Sequence, residues 1–263
     1  MDAPPQHQSA GWGLAIATLL AILGTLVVNT LSNIRPPGGQ NVGEIANTLL
    51  AGVLITPANY AFAIWGVIYL GLIAYGIYQL GQRQRRDSTI RQVNGLLIGA
   101  CIAQMIWIYL FTLQYFWLSI LAMLGILLSL IAIYLRLHIG RPGASRSRRW
   151  FAHYPFSVYL GWISVATVVN IASALHVAGW QGAGLSLGWT IALILITATI
   201  AAIVIGTRRD VAFTLVYLWA YGAIAVRHAD QPAIWLTASG AALGLGIWLL
   251  VRRRSPLPQL KTD

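Results

Sequence analysis

Tyr159, Trp162, Ala166 and Asn170 recur at spacings of three, four and four, so on a helix they share one face. An indole, a phenol, a carboxamide and a small gap make poor lipid-facing surface. Such a stripe suits either packing against neighbouring helices or a pocket with flat apolar walls and a few fixed polar groups. Two further stretches supply matching groups. Trp65 and Tyr69 stand one turn apart, and Gln104, Trp107 and Phe111 follow one another at three and four. Flat rings of this kind stack on large planar apolar molecules, and the Asn170 amide can fix one polar edge.

Other chemistries are poorly supplied. The acids are Asp2, Glu44, Asp87, Asp210, Asp230 and Asp263, none in the middle of an apolar run. Ion-coupled transporters commonly use intramembrane carboxylates, so proton or sodium coupling is not expected. His7, His138, His153, His176 and His228 fall in tails, loops or run ends, without ligand spacing for a metal. Cys101 is the only cysteine and reads as a small buried residue. No Ser-His-Asp set or phosphate loop is present. Neither an enzyme nor a required cofactor is expected.

The elements that must position the rings are long apolar helices. The chain is 58% hydrophobic and 9% charged, with mean hydropathy +0.71. No soluble domain of this length can hide so much apolar surface. Apolar runs at about 12–31, 58–80, 92–111, 115–135, 154–175, 185–205, 210–226 and 232–251 imply an all-α integral membrane fold with eight transmembrane helices. Residues 1–11 are polar and lack Lys and Arg, so a cleaved secretory signal is not expected. Asn29 reads as interfacial. The connection 32–57 opens with Arg35-Pro36-Pro37-Gly38-Gly39, which cannot continue a helix. Val42, Ile45, Leu49 and Val53 then recur at helical spacing. They predict a short amphipathic helix, either flat on the membrane or folded back as a lid. The short TLQYF connection makes runs three and four antiparallel neighbours. Gly179, Gly182 and Gly184 predict a flexible turn, and small residues in runs five to seven permit a homodimer.

A net charge of +11 can signal nucleic acid, but the arginines cluster between apolar runs. Arg136, Arg141, Arg146, Arg148 and Arg149 instead predict contact with anionic lipid headgroups. Fifteen of the 17 Lys and Arg residues fall on one set of alternating connections, leaving only Arg35 and Arg227 on the other. That asymmetry predicts both termini on the cytoplasmic side. It also puts Trp65, Tyr69 and Trp107 in the outer half of the membrane, with Trp162 nearer mid-depth and Ala166 and Asn170 above it. The candidate groups therefore converge beneath the 32–57 connection. Trp12, Trp117, Trp150, Trp180, Trp189, Trp235 and Trp248 lie near run ends, as an interfacial belt requires. Trp219, with Tyr217 and Tyr221, reads as core packing.

The run YLGWISVATVVN resembles the fifth helix of the TspO/MBR family of tryptophan-rich sensory or translocator proteins, at Tyr159, Leu160, Trp162, Ala166 and Asn170. Pro57, Trp65 and Tyr69 resemble that family's second helix, and Trp107 its third. Thr56 and Asn59 stand where the family has a proline and a tryptophan, and Ala103 where it has an asparagine. The resemblance covers roughly residues 12–176. It implies a five-helix bundle over residues 1–180 with the 32–57 connection as its lid. Residues 181–263 would add three helices and a basic tail without counterpart. It further implies a receptor or carrier for a planar hydrophobic ligand, a bound porphyrin or other tetrapyrrole or a sterol-like lipid. Trp65, Tyr69, Trp107, Tyr159, Trp162, Ala166 and Asn170 would be its contacts. Transport of small apolar molecules and assembly into a larger complex are the rival readings, with tetrapyrrole degradation a distant one. A bacterial plasma membrane, or a thylakoid, is the expected setting.

Overall fold

The computed structural model describes residues 11–180 and 187–254. The polar N-terminal stretch, Gly182 and Gly184 of the expected turn, the start of run six and the tail beyond Arg254 lie outside the described residues. The described residues form helices and turns without strands. In chain order the helices are α1 (Trp12–Ile34), α2 (Val42–Asn47), α3 (Ile64–Tyr78), α4 (Gln82–Arg86), α5 (Ser88–Thr112), α6 (Phe116–Arg136), α7 (Arg146–Arg148), α8 (Tyr154–Val177), α9 (Leu187–Arg208), α10 (Val211–Arg227) and α11 (Pro232–Arg254). A 3-10 turn, Asn59–Ala63, leads into α3, and a π-helical turn, Arg149–His153, leads into α8.

Among the described residues seven helices are long and apolar enough to cross a bilayer, and their outer faces expose residues such as Leu20, Leu70, Leu121, Leu128 and Leu243. The chain is a multi-pass membrane protein. The remaining long helix, α10, has 17 residues, about 26 Å at 1.5 Å per residue, against a hydrocarbon core of about 30 Å. Protein covers both of its ends. Asp210, the N-cap, is 6% exposed; it accepts from Tyr134 Oη at 2.9 Å and Ser157 Oγ at 2.6 Å. At the other end Arg227 is held by the 32–57 connection.

The helices pack in an order set by small residues and buried polar bridges. α1 lies against α3 and α5, α5 against α6, α6 against α8, and α8 against α3 and α10; α9 and α11 complete the bundle beside α10. Gly161 lets α10 approach α8 closely: a Cβ there would lie 3.1 Å from Val216 Cβ and 3.2 Å from the Phe213 carbonyl oxygen. A polar chain joins α3, α5 and α1. Tyr75 Oη donates to Asn94 Oδ1 at 2.6 Å, Asn94 Nδ2 to Gln79 Oε1 at 2.9 Å, and Gln79 Nε2 to the Ala15 carbonyl at 2.9 Å. Each such bond contributes about 0.6 kcal/mol in a membrane protein, so the chain fixes register more than it adds stability.

Basic connections gather at one end of the bundle. Arg85 lies over the Trp12 ring at 3.7 Å, Arg148 pairs with Asp87 at 3.4 Å, and Arg136 bonds Gln92. Arg208 reaches the Ile139 carbonyl and Arg252 the Gly206 carbonyl at the same end.

At the opposite end the 32–57 connection folds back over the bundle. Ile45, Leu50 and Val53 join the common core. The expected helix through Leu49 and Val53 stops at Asn47, because Thr48 leaves the helical region (φ −107, ψ −86). Leu49 is consequently 40% exposed, and Leu50 takes the inward place. Asn41 and Glu44 close the start of α2 as a capping box: Asn41 Oδ1 accepts from Glu44 N at 3.0 Å, and Glu44 Oε2 from Asn41 N at 2.7 Å. Gly38 passes so close to the end of α5 that a Cβ would collide with the Thr112 carbonyl. Trp219 is not packed as core: it is 40% exposed, meets Tyr60 edge-on, and donates Nε1 to the Ala61 carbonyl at 3.1 Å. It fixes the 3-10 turn ahead of α3.

Candidate functional site

Four helices, α1, α3, α5 and α8, and the lid meet at two adjoining hollows. The inner cavity holds about 50 Å³ and is lined by Trp65, Trp107, Trp162, Ala166 and Asn170, with Thr56 and Phe62 closing it. The outer cleft holds about 410 Å³. Its floor is Trp65, Tyr69 and Trp107, and its rim carries five asparagines, Asn29, Asn33, Asn41, Asn47 and Asn59, with Glu44. Phe62, Trp65, Trp107 and Val42 line both spaces and so form the wall between them.

Helical geometry explains the gathering. On α8 the three- and four-residue spacings turn Trp162, Ala166 and Asn170 to the same hollow. Trp65 and Tyr69 on α3 stack at 5.5 Å between ring centroids, and Trp65 meets Tyr159 edge-on at 6.1 Å. Tyr159 lines neither space. It stands behind Trp65, 1% exposed, with its hydroxyl 3.4 Å from Gln104 Oε1. Phe62 meets Trp162 edge-on at 6.0 Å and fills part of the room between α3 and α8.

Asn170 has a different duty from the one its position suggests. Its Oδ1 accepts from Trp107 Nε1 at 2.6 Å, and its Nδ2 donates to Ser119 Oγ at 2.9 Å. Both polar atoms are engaged within the protein, so Asn170 orients Trp107 rather than offering a free edge. The unengaged polar atoms are elsewhere. Trp162 Nε1, Thr56 Oγ1, Tyr69 Oη and Gln104 Nε2 are buried without a hydrogen-bond partner in the chain. Leaving such a group unpaired costs about 1–3 kcal/mol, and such groups gather where a ligand or water is received.

The lid is pinned from α10. Arg227 donates to the Ala46 carbonyl at 3.0 Å, Asn47 Oδ1 at 3.0 Å and the Pro57 carbonyl at 3.3 Å. Beside it His228 is 6% exposed. Burial, and then the adjacent Arg227 charge, hold its imidazole below the usual histidine range, while Asp230 and the Leu54 backbone act the other way.

The asparagine rim escaped the sequence reading. Asn29, near the end of α1, is 6% exposed, donates to the Thr25 carbonyl at 3.1 Å, and lines the cleft. The signal was the Asn29–Asn33 pair, one turn apart at the end of α1. Asn59 and Thr56, which depart from the resembled pattern, line the outer and inner spaces respectively.

A family model described as TSPO-like protein matches residues 15–251. The match runs on through α9, α10 and α11, for which the resemblance had no counterpart. No curated protein and no solved structure matches the chain.

Proposed function

Because the chain belongs to the TSPO-like family, we propose that it is a membrane receptor or carrier that binds a flat, largely apolar ligand between the lid and helices α1, α3, α5 and α8. The observation that carries this reading is that Trp65 and Trp107 line both the outer cleft and the inner cavity. The cleft, at about 410 Å³, falls within the about 300–1,000 Å³ of small-molecule pockets. The inner cavity, at about 50 Å³, does not. A ligand that lies on Trp65, Tyr69 and Trp107 and turns Phe62 aside would join the two spaces and reach Trp162 Nε1 and Thr56 Oγ1.

The lining selects among flat ligands. Among the described residues the cleft is lined by aromatic rings, amides and one carboxylate, with no Lys, Arg or His. Amides pair with hydroxyl, keto and ester oxygens, whereas a free carboxylate would meet the Glu44 charge while Arg227, the cation that reaches the rim at Asn47 Oδ1, is already shared with two lid carbonyls. A sterol-like lipid or an esterified tetrapyrrole fits better than a tetrapyrrole dicarboxylate. Binding rather than catalysis is the role, with the basic end and both termini in the cytoplasm of a bacterial plasma membrane.

Quenching of tryptophan fluorescence by protoporphyrin and by its dimethyl ester tests this reading, with a sterol as competitor. The ester should bind at least as tightly as the diacid, and Trp65→Ala should weaken both. Equal affinity in wild type and Trp65→Ala, with folding intact, would remove the site.

A further inference from the structure

A separate cavity at the basic end of the bundle has the makings of an anion site. It holds about 270 Å³ and lies where the connection after α6 meets the one between α9 and α10. Four arginines line it, Arg141, Arg149, Arg208 and Arg209, together with His153 and one acidic residue, Asp210. The two connections meet through bare backbone. Gly140 has φ +80, and a Cβ there would collide with the Arg208 carbonyl oxygen.

The carboxylate is already committed. Asp210 Oδ2 accepts from Tyr134 and Ser157, and its Oδ1 accepts from Phe213 N at 3.1 Å. Arg208 donates to the Ile139 carbonyl at 3.4 Å. Arg141 and Arg149 are exposed side chains on the cavity lining. His153 is 5% exposed, and its Nε2 has no hydrogen-bond partner in the chain. Four arginines against one committed carboxylate call for an acceptor-rich, negatively charged occupant.

We propose that this cup binds a phosphate group, with Arg141 and Arg149 closing on its oxygens over a floor that includes the buried His153 ring. Planar guanidinium forks suit phosphate oxygens bidentately. The volume exceeds that of a single phosphate and leaves room for part of an attached alcohol. Depth decides the source. Trp150 and Tyr154, on the same stretch, are 59% and 40% exposed, and such rings sit at the headgroup level of a bilayer. The occupant is therefore the phosphodiester of an anionic phospholipid, with a free phosphate sharing the same chemistry. This site does not depend on the reading of the cleft beneath the lid.

The test uses the full chain in a neutral detergent. Native mass spectrometry reads the binding of dioleoyl phosphatidylglycerol against dioleoyl phosphatidylcholine, and inorganic phosphate is assayed separately for protection against heat. The double variant Arg141→Gln/Arg149→Gln is compared with Arg83→Gln/Arg86→Gln, which removes two exposed charges from the same end but outside the cup. Wild type and the control pair should prefer the anionic lipid by about tenfold, and the cup variant should lose that preference. Cup-dependent protection by phosphate alone would assign the site to a soluble anion and keep the chemistry. If both pairs lose preference equally, or neither does, the effect belongs to the charge of the whole face and the proposal fails.

Discussion

Trp107 Nε1 lies 2.6 Å from Asn170 Oδ1, across the seam between α5 and α8. The indole plane is thereby set before any ligand arrives, because the bond fixes both its tilt and its depth. Asn170 is in turn steadied by Ser119 on α6 at 2.9 Å, so three helices agree on the position of one ring.

Replacing Asn170 with Leu should strand the Trp107 N–H in a buried site. The expected cost is about 1–3 kcal/mol, read as a lower melting temperature in detergent. Affinity for a flat ligand should fall as well, since Trp107 would no longer be held against the cleft. Unchanged stability would show that the ring has another anchor.

Arg227→Gln should loosen the lid without unfolding the bundle. Three acceptors on the lid, the Ala46 and Pro57 carbonyls and Asn47 Oδ1, lose their shared donor. Hydrogen exchange of residues 42–57 should accelerate while that of α5 and α8 stays slow. Ligand association and dissociation should both quicken.

The lid should also respond to acid. His228 is held below its ordinary value of 6.5, first by burial and then by Arg227. The unfolded chain then binds a proton more readily than the folded one. The stability His228 contributes is complete above about pH 6.5 and is lost as pH falls toward its depressed folded value. Exchange of residues 48–57 should rise below that pH in wild type, and His228→Asn should flatten the dependence.

Phe62→Ala should join the two hollows. Phe62 lines both and meets Trp162 edge-on at 6.0 Å. If bulky flat ligands must displace it, the variant should bind them faster and about as tightly or better. Slower binding would mean that Phe62 is part of the landing surface instead of a partition.

Most of the helices could be read from the sequence because, among the described residues, seven are long apolar runs, and bilayer thickness makes such runs distinctive; α10 is a shorter one. The α8 stripe was equally readable, since a single helix period brings Trp162, Ala166 and Asn170 to one hollow. What escaped depended on contacts between distant segments. The pairing of Asn170 with Trp107, 63 positions away, could not be read, because nothing in the order of residues joins them. The end of α2 at Asn47 is set by lid packing, which overrode a spacing that runs on to Val53. The asparagine rim is drawn from α1, the lid and the 3-10 turn, and no local pattern joins them. Trp219 gave no hint of its work, because its partner, Ala61, lies 158 residues earlier.

The grip of Arg227 on residues 46, 47 and 57 has a mechanical corollary. Its guanidinium is the last residue of α10, so the roof over the aromatic chamber is fastened to the C-terminal third of the molecule. Whatever raises that roof must unlatch α10, and by reciprocity anything that pulls on α10 must unlatch the roof by the same free energy. A ligand that lifted the lid would therefore act on α10 as well, and through it on α9 and α11, which pack beside it.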